Sequence, residues 1–136
     1  MMGPQIVVGI SRADRQYPLI WAIEESVRWR GDLTIVHCLE NRIEIEVPIP
    51  STEEIEKAQA ILDSAVSVAR HHGIEPTSRL CDGFPGEALV EWSKDAQLLV
   101  IGSTSRSMMS RVMHESIANY CVRHVQCPVA ILPNLQ

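Results

Sequence analysis

"LLVIGSTSRSMMSRVMHESIANYCVRHVQCPVAIL", Leu98 to Leu132, decides the fold. An apolar run ends at Gly102. A loop rich in serine and arginine follows, then a stretch at helical spacing, then a second apolar run. Strand, loop, helix and strand in this order is how α/β proteins build cradles for anionic ligands. Such cradles usually carry several glycines, and this loop holds Gly102 alone.

The rest of the chain repeats the layout. "IVVGI" (Ile6–Ile10) and "LTIVHCL" (Leu33–Leu39) read as buried parallel strands. Between them, Leu19, Ile20, Ile23 and Val27 recur at helical spacing from Tyr17 to Trp29, and Gly31 stands where a helix would stop. Residues 40–50 read as a loop, although "RIEIEV" alternates and could form a short strand. "STEE" supplies Ser51 as an N-cap with Glu54 three residues later, a capping box. Ile55, Ala58, Leu62, Ala65 and Ala69 then mark one apolar face. His71 and His72 close that helix before Gly73. "EPTSRLCDG" offers a third strand. Pro85 and Glu87 open a helix carrying Ala88, Leu89 and Trp92, with Trp92 read as core. "QLLVIG" is a fourth strand. Ile117, Cys121 and Val125, with Ala118 and Val122 beside them, form the stripe of a last helix before "CPVAIL".

Strands and helices alternate throughout. That predicts an α/β fold in three layers, a five-stranded parallel sheet with helices on both faces and right-handed crossovers. At 136 residues the chain reads as a single domain, 1–136. Hydrophobic residues make up 46% and aromatics only 4%, so aliphatic side chains must fill the core. Ligands in such sheets bind beyond the carboxyl ends of the strands, where the strand order switches direction. Ser11, Leu39 and Gly102 fall at such ends.

Composition narrows the function classes. A net charge of -5 with no basic stripe argues against nucleic acid as a partner. Six glutamates between residues 40 and 57 face only Arg42 and Lys57, the pattern of a solvated surface. Neither a membrane span nor a signal peptide is visible, so the chain reads as cytoplasmic. Cys38, Cys81, Cys121 and Cys127 show no CxxC spacing and read as buried thiols rather than metal ligands, although Cys121 and Cys127 are close enough in sequence to approach each other. No metal site is expected. His114, Glu115 and Ser116 look like a nucleophile cluster, but sequence neighbours at a helix start point in different directions. They read instead as a serine N-cap with an acidic residue at the helix N-terminus, and no catalytic residue is assigned. His37 and Cys38 alternate across a strand and cannot pair.

"IVVGIS", "LTIVHCLE", "GFPGEALVEWSKDAQLLVIGS" and "CVRHVQCPVAILP" together resemble the universal stress protein family of the UspA type. The resemblance spans essentially the whole chain and implies a UspA-like sheet, of the adenine nucleotide alpha hydrolase-like class. Many members bind ATP through G-x2-G-x9-G-[ST] after the fourth strand, with an Asp ending the first. Set on this chain, Gly102 and Ser116 match. Ser105 and Glu115 replace glycines, and Ser11 stands at the Asp position. The resemblance therefore makes Ser11, Gly102, Ser103, Ser105, Arg106, Glu115, Ser116 and Ile117 the candidate nucleotide positions.

Glu115 is the weightiest departure. A carboxylate near triphosphate charge repels it by a few kcal/mol at intermediate dielectric, enough to weaken micromolar binding roughly a hundredfold. The expectation is a degenerate ATP loop and no cofactor. ATP with Mg, held by Gly102, Arg106 and Ser116 with at most slow hydrolysis, is the alternative. Arg106 and Arg111 could pair with phosphate. Met108, Met109 and Met113 pack inward or receive a protein partner. The resemblance also implies a homodimer through the last strand, Cys127, Pro128, Val129, Ala130, Ile131 and Leu132, since so apolar an edge would be a poor exposed one.

Overall fold

A computed structural model describes residues 3–11, 16–39, 50–103, 109–110 and 115–133. In chain order the elements are β1 (Gln5–Ile10), α1 (Tyr17–Trp29), β2 (Asp32–Cys38), α2 (Thr52–His71), β3 (Thr77–Cys81), α3 (Pro85–Trp92), β4 (Leu98–Gly102), β5 (Met109–Ser110), β6 (Glu115–Ser116), α4 (Ile117–His124) and β7 (Val129–Leu132). Five strands form one sheet in the order β3-β2-β1-β4-β7, and every adjacent pair in it is parallel. The expected three-layer architecture is therefore what the chain adopts. The β5–β6 pair forms a separate antiparallel ribbon that the sequence pattern did not suggest.

Alternation along the strands divides the core in two. Ile6, Val8, Leu33, Ile35, Leu98 and Val100 pack with Leu19, Ala22 and Ile23 of α1 and with Leu62, Ala65, Val66 and Ala69 of α2. Val7, Val36, Leu99 and Ile101 face the other way, onto Leu89 of α3 and Ile117, Ala118 and Cys121 of α4. The central strands are covered on both sides, which is why they read as unbroken apolar runs. Gly9 lets α3 close on β1: a Cβ there would come 2.8 Å from Leu89 Cδ2.

Several expectations need correction. Val27 is 54% exposed, and Ser26 is buried in its place. Steps of 100° per residue put Ser26 nearly above Leu19, whereas Val27 drifts off the stripe. Ile55 is in phase with Leu62 yet 41% exposed. At 20 residues α2 spans about 30 Å, longer than the strands beneath it, so its first turn overhangs the sheet. Val122 is exposed on the flank of α4. Trp92 is not core: it is 40% exposed, with the Arg79 guanidinium 4.9 Å over its ring. The last strand begins at Val129, two residues later than "CPVAIL" implied. Residues 40–49, where a short strand was open, lie outside the described residues.

Two helix ends show the local chemistry. Ser51 accepts from the Glu54 amide while the Glu54 carboxylate accepts from the Ser51 amide, so the capping box forms as read. The end of α1 is not made by Gly31. Arg30 takes the left-handed conformation, φ 54°, with its amide donating to Val27 O and the Gly31 amide to Ser26 O. Gly31 is needed for a different reason, because a Cβ there would strike the carbonyl oxygen of Pro4. Arg30→Gly should relieve the left-handed strain and raise stability by about 0.5–1 kcal/mol, read as a higher urea midpoint at unchanged slope.

Candidate functional site

Strand order places the site. From β1 the chain crosses through α1 to β2 on one side, while β4 lies on the other side of β1. The order therefore switches direction between β1 and β4, the place where sheets of this kind hold a crevice beyond the carboxyl ends of their strands. Ile10 and Ser11 lie at the end of β1 and Gly102 and Ser103 at the end of β4, side by side because the two strands pair through Val8 and Val100 just below. Ser11, Gly102 and Ser103 are half-buried there. The structure thus brings together these three sequence-derived positions.

The other candidates are distributed differently. Ile117 is 5% exposed and packs among Leu99, Leu89 and Cys121 as a core residue. The Ser103 amide donates to Leu132 O at 2.6 Å, which ties the loop entrance to β7. Ser116 immediately precedes the first residue of α4, the N-cap position read for it, with Glu115 one residue before. Their backbone forms β6, paired as Ser110↔Glu115 and Met109↔Ser116, and α4 starts at Ile117. Ser105, Arg106, Met108, Arg111, Met113 and His114 lie outside the described residues. At the proposed interface, Cys127 packs inward against the α3/α4 core, and the Pro128 carbonyl accepts from the Leu99 amide.

Two features of these strand ends were not legible in the sequence. His37, 6% exposed, lies in register with Ile10, and its ring Nδ1 is 2.8 Å from the Ile10 carbonyl. A carbonyl only accepts, so Nδ1 carries the proton and donates. This bond fixes the last turn of backbone before Ser11. Beside it, Cys38 pairs directly with Cys81 across β2 and β3. His37 points to the α1/α2 face and Cys38 to the α3/α4 face, so they form no Cys–His pair. Among the described residues no group of three or more His, Cys, Asp and Glu could hold a metal ion, and no helix is long and apolar enough to cross a membrane.

Burial pushes the His37 imidazole below its ordinary value, against the smaller upward pull of its bond to Ile10. The folded protein thus binds this proton less readily than the unfolded chain. Stability is full above the ordinary histidine value of about 6.5 and is lost as pH falls through it toward the lower folded value. His37→Asn should flatten that part of the profile. Urea midpoints of both proteins between roughly pH 7.5 and 5.5 test this. An unchanged slope in the variant would remove His37 as the source.

The parallel sheet, covered by helices on both faces and switching direction between β1 and β4, defines a doubly wound α/β protein. The universal stress protein family model matches residues 2–133, and the chain belongs to that family. The solved universal stress protein of Archaeoglobus fulgidus is similar at 26% identity and a TM-score of 0.76, covering 96% of this chain and 94% of that one. A structure of the Archaeoglobus fulgidus universal stress protein in complex with dAMP is similar at 25% identity and a TM-score of 0.72, covering 96% and 98%. A universal stress protein of Mycobacterium tuberculosis is 25% identical over 93% of this chain and 47% of its own length. The chain thus spans about half the length of the curated relatives it matches.

Proposed function

We propose that this chain is a dimeric universal stress protein module whose phosphate loop is altered, so that ATP is not held in the family manner. It acts in stress response or regulation by association rather than by catalysis. The observation that carries the reading is the β5–β6 ribbon. In a phosphate cradle the backbone amides turn toward the ligand. Here the backbone at Glu115 and Ser116 is instead engaged with Ser110 and Met109. Ser11 in place of an acidic residue and Ser105 and Glu115 in place of glycines point the same way.

A second reading has its own support. The dAMP-bound relative shows that a chain 25% identical over nearly this whole length holds an adenine nucleotide. In that reading Gly102, Arg106 and Ser116 hold ATP with Mg. Thermal shift and calorimetry with Mg·ATP and with dAMP separate the two. The wild type should show no binding at micromolar concentrations. Ser105→Gly with Glu115→Gly should gain affinity roughly a hundredfold, as removing a carboxylate from phosphate charge implies. Micromolar ATP binding by the wild type would overturn the proposal in favour of the nucleotide-binding reading.

A further inference from the structure

Cys38 is the last residue of β2 and Cys81 the last of β3, and they are direct partners in the parallel ladder. The Leu39 amide donates to the Cys81 carbonyl at 2.8 Å, so the pairing is held to the very end of both strands. Both side chains face the α3/α4 layer. Both thiols are free, Cys38 buried and Cys81 half-buried. Burial first, then the neighbouring Cys81, push the Cys38 thiol up to about 12, and a hydrogen bond between the two side chains adds to this.

We propose that Cys38 and Cys81 are a redox pair that closes into a reversible disulfide when the protein meets a peroxide. Adjacent strands run ~4.8 Å apart, inside the ~4.4–6.8 Å between Cα atoms that a disulfide spans. Bringing the Cβ atoms to disulfide distance requires the end of β3 to draw in by roughly 1 Å. That end has room to move. It is an edge strand, and Asp82 and Gly83 after it are exposed, with Gly83 at φ 95° and nothing within 4 Å of where a Cβ would lie.

The roles follow from access. Cys81, the more open sulfur, attacks the peroxide O–O bond and becomes a sulfenic acid, releasing water or an alcohol. The Cys38 sulfur then attacks the Cys81 sulfur, and the Cys38 proton leaves with the displaced hydroxyl as a second water. Two thiols lose two electrons and the peroxide gains them. A bridge made by displacing a strand end is strained, and strained disulfides are the easily reduced ones. Its closure moves the turn from Asp82 to Phe84 that opens α3. Cys121 and Cys127 also lie near each other, close enough that Cys127 adds to the upward push of burial on the Cys121 thiol, but Cys121 is fully buried and closed off from an oxidant.

Folded protein is exposed to hydrogen peroxide, then unfolded and alkylated. Two of the four cysteines should remain alkylatable, the mass before alkylation should fall by ~2 Da, and a peptide should join Cys38 to Cys81. Dithiothreitol should restore all four. In Cys38→Ser, Cys81 should be trapped as sulfenic acid and take up dimedone; in Cys81→Ser, Cys38 should stay a thiol over the same exposure. Four alkylated thiols after peroxide, a bridge between Cys121 and Cys127 alone, or sulfinic acid at Cys81 of the wild type would overturn the proposal. The wild-type map decides without either variant.

Discussion

Leu99→Ala should lower the unfolding free energy by about 3–4 kcal/mol and the melting temperature by roughly 10 °C. Leu99, the second residue of β4, is wholly buried, with Val7 beside it on β1 and Val129 on β7. Leu89 of α3 and Ile117 and Cys121 of α4 cover it. Strands fixed on both sides cannot collapse into the space an alanine leaves, so the loss combines lost burial with a lasting cavity. Ile55→Ala is the matched control. Its side chain overhangs the sheet, and its removal should stay within about 0.5 kcal/mol. Chemical denaturation of both variants reads the contrast. Equal effects would mean that the two-layer packing described for the sheet is wrong.

Ile131→Lys should convert the proposed dimer to monomer at micromolar concentration, with its dissociation constant raised at least roughly a hundredfold. The Pro128 and Leu132 carbonyls accept from β4, so alternation turns the N–H and C=O groups of Val129 and Ile131 outward. These groups, with an Ile131 side chain 43% exposed, are what a second copy would pair with across a two-fold axis. A lysine there meets its own copy at the same axis. Because Ile131 already faces solvent in the single chain, the variant should keep its melting behaviour apart from the loss of dimer linkage. Sedimentation equilibrium decides. A monomeric wild type, or a variant that stays dimeric, would remove β7 as the interface.

Much of this architecture was legible because each apolar run sits on a strand buried on both faces, and each helix keeps one buried stripe. The capping box at Ser51 was legible because it is local, three residues long and unambiguous. The errors share a cause: they depend on distances along or across the fold that spacing does not encode. Ile55 fails by helix length, Val27 by angular drift, and Trp92 because Arg79 arrives from another strand. Arg30 adopts a conformation expected of its neighbour, since Gly31 is committed to the approach of Pro4. At the site, Ser11 and Gly102 were legible as strand ends. That they end side by side follows from β1 lying between β2 and β4, an order no periodicity reveals. The His37–Ile10 bond and the Cys38–Cys81 pairing join residues 27 and 43 positions apart, and only the sheet register exposes them.

The two margins of the sheet are unlike. On β3 the Cys81 carbonyl faces β2, so the Ser78 carbonyl faces outward, and the Arg79 guanidinium donates to it at 3.0 Å while resting on Trp92. That margin is partly capped by its own side chain, whereas among the described residues no strand pairs with the outer edge of β7. A protein with two bare margins could add copies at either end without limit. With one partly capped, the proposed pairing through β7 would give a single continuous sheet across two copies and then terminate, so the arrangement of Arg79 and Trp92 would hold the count at two and guard against fibre growth.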